Sequence, residues 1–237
     1  MRRRQDVSGV DCVITLDLDW ASDAAIDAVA ALLREAGVPA TWFVTHESAA
    51  VERLRAEEAF ELGIHPNFLS GSTHGDAVAD VLDHCMGLVP EATAMRTHAL
   101  VQSTPILAEV LSRTPIRVDA SLFLPHAENV RPVRYRWRGA TLVRVPYVWE
   151  DDVELENGTL ADGVDALLDA PGLKVFDFHP THVFLNSNSM ERYRELSPGL
   201  PDVDLSAHVQ TGPGVGTVFE HVLERVRGRA CRIGDAT

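Results

Sequence analysis

Short apolar runs alternate with stretches of helical period through the first two thirds of this chain, and that rhythm limits the fold more than any other feature. "ITLDLDW" (14–20), "VPATWFVTH", "ELGIHP", "TAMRTHAL" and "IRVDASLF" read as strands. The segments between them read as helices. Ser22 can cap one over Asp23–Ala36, with Gly37 as its stop. A second is expected over roughly 48–60, and a third in "GDAVADVLDHCMGLVP". The fourth, "STPILAEVLSRT", has Ser103 as cap and Pro105 in its first turn. Repeated strand–helix pairs imply a parallel sheet, either open or closed as a barrel. Such sheets place their sites in the loops at the C-terminal ends of the strands.

The later part departs from this rhythm. "VRYRWRGATLVRVPYVWEDD" alternates strictly around Arg138–Gly139 and predicts a β-hairpin. "ADGVDALLDAPGLKVFDFHP" returns to helix and strand. Residues 186–216 are rich in Asn, Ser, Pro and Gly and are expected to be loop, and a last helix is expected over Val215–Arg227. No repeat or linker divides the 237 residues, so one catalytic domain is expected over 1–237, with a core at 11–186 and a loop plus C-terminal helix at 187–237. A 46% hydrophobic share supports a large core.

Polar residues gather at the predicted C-terminal ends of the strands. The first strand brings Asp17 and Asp19, the third His65 and Asn67, the fourth Arg96 and His98, and the late strand Asp177 and His179, followed by His182. Asp17 and Asp19 would share one face, roughly 7 Å apart along the strand. Carboxylates so close repel unless a cation lies beside them. A divalent ion would bind one of them and leave the other near an activated water as proton acceptor.

These motifs, in this order, resemble the NodB-like polysaccharide deacetylases (carbohydrate esterase family four). "TLDLDW" is similar to that family's paired-aspartate motif, "ELGIHPNF" to its metal-histidine motif, "MRTHAL" to its arginine motif, and "VFDFHP" to the strand carrying its catalytic histidine. The run "GIHPNFLSGSTHG … RTHALVQS … FDFHPTHVFLN" is most similar to the WbmS-type deacetylases linked to surface polysaccharides. The resemblance implies an α/β fold, a NodB-like distorted (β/α) barrel of parallel strands with an inserted β-hairpin. It also implies a hydrolase that removes an N-acetyl group from an amino sugar, with a divalent metal as cofactor and zinc as the expected ion. Asp17 would be the general base and Arg96 would hold it as the anion. Asp19 and His65 would bind metal, and His179 would protonate the leaving amine.

The family's second metal histidine has no counterpart here, because Leu69 stands at its position. His74 is the expected third ligand, since the same loop carries it. His98 and Asn67 are the other candidates, for metal or substrate. "WEDD" (Trp149–Asp152) is expected to orient the site or to line the sugar subsite, with Trp149 as its sugar platform, and His182 to line that subsite or to shape the loop after Pro180. Two rival readings are a carbohydrate-binding member of the fold without catalysis, and a hydrolase of a cyclic amide.

Other features narrow the partners. A net charge of −14 argues against nucleic acid, which needs a basic surface. No apolar run reaches membrane-span length. The basic start "MRRRQDVSGVD" lacks an apolar leader core, and Cys12, Cys85 and Cys231 are scattered without a CxxC pair, so a reduced, cytoplasmic protein is expected. Oligomeric state is not legible. Arg131, Arg134, Arg136, Arg138 and Arg144 crowd one hairpin, either as a phosphate clamp or as a solvated face. "TGPGVGT" (211–217) lacks the lysine and preceding strand of a phosphate loop and reads as a turn. His84, His126, His208 and His221 are given no role.

Overall fold

The computed structural model describes residues 11–237; the basic start over 1–10, read above as lacking a leader, lies outside them. In chain order the elements are β1 (Cys12–Asp17), α1 (Asp23–Ala36), β2 (Ala40–Val44), α2 (Ala49–Arg55), β3 (Phe60–Ile64), α3 (Val78–Leu88), β4 (Ala94–Met95), α4 (Thr104–Arg113) and β5 (Val118–Asp119). The hairpin β6 (Val133–Trp137) and β7 (Ala140–Arg144) follows, then β8 (Trp149–Glu150), α5 (Asp151–Asn157), α6 (Val164–Asp169) and β9 (Lys174–Phe178). The chain finishes with α7 (Pro180–Leu185), α8 (Met190–Leu196), α9 (Val215–Val226) and β10 (Ala230–Cys231).

The strands form one sheet in the order β6-β7-β5-β4-β3-β2-β1-β9-β8. Every pairing is parallel except β6 with β7, which run antiparallel through the Arg138–Gly139 turn. The sheet curls into a half-barrel, and among the described residues no pairing joins its edges β6 and β8. Strand β1 lies in its interior, between β2 and β9. One of its edges is shared: β10 pairs with Cys12 and Val13, and β2 takes over from Ile14 onward.

Period-two alternation along β1 divides its side chains between two cores. Cys12, Ile14 and Leu16 join the larger core under the helices, together with Ile26, Val29 and Leu33 of α1. Val13 faces a smaller core inside the half-barrel, with Phe43, Ala94, Val145 and Tyr147. Thr15 and Asp17 continue that inner face towards the C-terminal rim. Helix α1 starts where Ser22 accepts the Ala25 N–H and stops at Gly37, whose φ of 65° suits a residue without a Cβ.

Several elements are shorter than their sequence patterns. Strand β1 ends at Asp17, and Asp19 and Trp20 take left-handed conformations (φ 40° and 56°), so the two aspartates are not neighbours on one strand face. Strand β4 ends at Met95, and His98–Leu100 form a 3₁₀ turn with Ala99 and Leu100 left-handed. The stretch read as loop over 186–216 contains α8, whose Leu196 is buried in the larger core. "TGPGVGT" leads into α9, with Gly214 as its N-cap. No helix among the described residues is long and apolar enough to cross a membrane.

Candidate active site

The rim of the half-barrel holds a cavity of about 150 Å³, lined among others by Asp17, Asp19, His65, His98, Glu150 and His179. His65 follows directly on β3. Its Nε2 lies 3.1 Å from Asp19 Oδ1, and the same oxygen lies 3.1 Å from His98 Nδ1. The left-handed turn at Ala99–Leu100 brings His98 back to this point. Burial works against an ionised Asp19, yet the hydrogen bonds with His65 and His98 hold its carboxyl well below the usual carboxylate range. Burial also opposes charge on His98, but Asp19 outweighs it and raises that imidazole.

Asp19, His65 and His98 each offer one ligand atom, all within 4.8 Å of one another. One carboxylate and two imidazoles are a donor set that suits zinc and similar divalent ions. His65 Nδ1 is buried without a hydrogen-bond partner, 3.7 Å from Asp17 Oδ2. The residues present therefore fit a metal.

His74, the expected third ligand, is not part of this group. Its Nε2–H donates to the Thr45 carbonyl at 2.8 Å, and its Nδ1 accepts the Asn67 N–H at 3.2 Å. Both ring nitrogens are thereby occupied. Burial lowers its pKa to about 4, so it stays neutral and fastens the loop after β3. Asn67 is likewise occupied, its Oδ1 accepting the Leu69 N–H at 3.0 Å. Of the three candidates, the structure brings only His98 to the cluster.

Arg96 is 1% exposed and lies between the rings of Phe43 and Tyr147, at 4.9 and 4.4 Å from their centroids. It donates to Asp17 Oδ1 at 2.9 Å, to Thr15 Oγ1 at 2.9 Å, to the Ala120 carbonyl at 3.2 Å, and to Asp177. Asp177 is fully buried on β9, and its Oδ2 has no partner. Burial, reinforced by the charge of Asp17, raises its carboxyl well above the usual range despite Arg96. The same shift favours a neutral Asp177 beside the Arg96–Asp17 ion pair, so that the guanidinium faces one carboxylate charge at this point.

His179 stands at the end of β9, with its Nε2 3.6 Å from Asp19 Oδ2. Asp151 accepts from the His179 backbone N–H at 2.8 Å and pairs with Nδ1 at 2.6 Å. Burial opposes the imidazolium, but Asp152 and Asp151 outweigh it and raise His179 well above its usual range. Asp151 is held there because β8 pairs with β9, Glu150 opposite Asp177. The sequence reading singled out Asp177 only as a polar residue at a strand end and Glu150 and Asp151 only within "WEDD", and gave Tyr147 no role; Tyr147 and Glu150 also line the cavity.

Two expected subsite residues lie elsewhere. Trp149 is fully buried against Phe176 and Phe178, because its position on β8 faces the helix layer. His182 is also fully buried; its Nδ1 is 2.9 Å from Ser187 Oγ and its Nε2 2.7 Å from Asp152 Oδ1, so it braces Asp152 instead of lining the cavity. Arg144 pairs with buried Asp119 at 2.8 Å. Arg131, Arg134, Arg136 and Arg138 are exposed along the hairpin, and none lines the cavity.

Known proteins share this fold. A crystal structure from Bordetella bronchiseptica, of a protein assigned as a polysaccharide deacetylase involved in O-antigen biosynthesis, is 36% identical, with a TM-score of 0.75 and 90% of each chain covered. The fold is shared with a polysaccharide deacetylase assigned in Mycobacterium smegmatis (15% identity, TM-score 0.54, 93% and 92% covered). It is shared too with a variant of a Bacillus subtilis peptidoglycan deacetylase (11% identity, TM-score 0.53, 98% and 91% covered). No curated protein matches the chain. The model of the WbmS-like polysaccharide deacetylases matches residues 14–197, a span containing every residue of the site just described. With the neighbouring structure at 36% identity, this match makes the chain a member of the WbmS-like polysaccharide deacetylases, hydrolases that cleave the amide of N-acetylated sugars.

Proposed function

We propose that the chain is a metal-dependent N-deacetylase of an N-acetylated amino sugar, with zinc at Asp19, His65 and His98. The observation that carries this reading is that two differently prepared groups stand beside that cluster: Asp17, held by Arg96, and His179, held by Asp151. A divalent ion bound there would acidify a water and polarise the acetyl carbonyl.

The chain's own residues do the rest. Asp17 presents Oδ2 towards the cluster while Arg96 engages Oδ1, so the free oxygen can accept the proton of the attacking water. Arg96 cannot follow Asp17 elsewhere, because Thr15, the Ala120 carbonyl and two aromatic rings fix its plane. His179 keeps Nδ1 on Asp151, which leaves Nε2 facing the cavity to protonate the departing amine. Base and acid thus lie close together at the rim, one atom of each within 4.8 Å of the other, and each is fixed by a buried partner of opposite charge.

Acetate release from N-acetylated amino sugars, measured with zinc and again after chelation, tests the reading. Release that stops on chelation and returns with zinc supports it. Release unaffected by chelation would remove the metal, and no release from any N-acetylated sugar would remove the activity.

A further inference from the structure

Among the described residues, three that line the cavity carry a buried side-chain atom without a hydrogen-bond partner: His65, Asp152 and Thr97. Two of those atoms still face an ionisable neighbour, His65 Nδ1 at 3.7 Å from Asp17 and Asp152 Oδ1 at 2.7 Å from His182. That leaves Thr97 Oγ1. Thr97 is 1% exposed and stands in the chain between Arg96, which holds the proposed base, and His98 of the metal cluster. Its main chain is satisfied on both sides: the N–H donates to Ser121 Oγ at 2.9 Å, and the carbonyl accepts the Leu100 N–H at 3.0 Å. These bonds, not the hydroxyl, hold the segment in place.

A valine would fit this extended backbone (φ −81°, ψ 132°) equally well, since its branched side chain has nearly the same shape. It would also avoid burying a hydroxyl without a partner, which costs stability. The hydroxyl is therefore surplus to the fold, and the cavity is the open side from which a partner can reach it. Most of the cavity's other polar side chains are committed: Asp19, His65 and His98 to the metal, Asp17 and His179 to proton transfer, and the Tyr147 hydroxyl to Glu150 at 2.9 Å. A threonine hydroxyl both donates and accepts, as a sugar hydroxyl does, and its branched side chain presents it in few rotamers. We propose that Thr97 Oγ1 hydrogen-bonds a ring hydroxyl of the sugar and so positions the substrate against the metal cluster. The inference rests on the deacetylase reading for its class of ligand, but its stability test depends on no reaction.

Thr97→Val and Thr97→Ser are compared with wild type as zinc-loaded full chains. In urea denaturation Thr97→Val should be at least as stable as wild type, because the hydroxyl it lacks has no protein partner. A clear loss of stability would reveal a structural bond and overturn the inference while leaving the deacetylase reading intact. In acetate release from N-acetylated amino sugars, Thr97→Val should raise KM by about 2–10-fold, the scale of one neutral hydrogen bond, with kcat within about twofold of wild type. Thr97→Ser keeps the hydroxyl and should stay near wild type in KM. An unchanged KM in Thr97→Val, or a fall confined to kcat, overturns the inference. Absence of acetate release by wild type would instead sink the deacetylase reading. Calorimetric binding of N-acetylglucosamine then decides: weakening by the same factor in Thr97→Val upholds the role of the hydroxyl, and equal binding, or none by wild type, removes it.

Discussion

Asp151 grips His179 twice, at the main-chain N–H (2.8 Å) and at ring Nδ1 (2.6 Å), so one carboxylate sets both the backbone and the imidazole of the proposed acid. Removing its charge should lower the pKa of His179, which Asp152 and Asp151 hold up against burial. His179 works protonated, so activity falls as pH rises through its pKa. Asp151→Asn should therefore move the alkaline limb of the kcat profile to lower pH. It should also lower kcat by about 10²–10⁴-fold, as when a catalytic histidine loses its orienting carboxylate. A profile of unchanged position would show that Asp151 only supports the fold.

Metal content separates ligands from their surroundings. Asp19→Ala, His65→Ala and His98→Ala should each lower zinc affinity by more than about 100-fold, beyond the roughly 10–100-fold of an outer partner. His74→Ala should retain zinc but leave the Thr45 carbonyl and the Asn67 N–H unpaired, costing about 1–3 kcal/mol of stability. Zinc titration and chemical denaturation of the four variants check both statements. Tight zinc binding by His98→Ala would remove it from the ligand set.

Asp17→Asn and His179→Ala should each lower kcat by about 10²–10⁴-fold while zinc content stays near that of wild type. Metal analysis and acetate release on the same samples provide the check. A variant lacking both side chains that still works near the wild-type rate would exclude this base–acid pair.

Asp177 supplies a stability test independent of activity. Its folded-state pKa is raised, so over a range of pH the folded chain holds a proton that the unfolded chain has lost. By linkage, this group makes stability fall as pH rises from the unfolded value, about 4, towards the folded one. Asp177→Asn mimics the protonated form and should flatten that decline, as read by urea denaturation between about pH 5 and 8. An unchanged slope would mean that Asp177 is ionised in the fold.

The paired aspartates, His65, Arg96 and His179 were legible because each sits at or just beyond the end of an apolar run whose period reveals its direction. The choice between His74 and His98 was not. Chain proximity favoured His74, whereas the outcome depends on left-handed Ala99 and Leu100, residue types that carry no signal for that conformation. Asp151 was hidden for another reason. Its grip on His179 comes from the pairing of β8 with β9, two strands separated in sequence by α5 and α6, so "WEDD" could be read as a motif that orients the site but not as a partner of that histidine. Trp149 in the same motif looked like a sugar platform, but period-two alternation places it among Phe176 and Phe178.

The split edge of β1 bears on how the protein is made. During translation β1 is made well before β10, so the edge at Cys12 and Val13 has no neighbour until residues 230–231 leave the ribosome. The strand that leads into Asp17 and Asp19 thus remains half-finished until then, with unpaired backbone groups at Cys12 and Val13 that another nascent chain could capture.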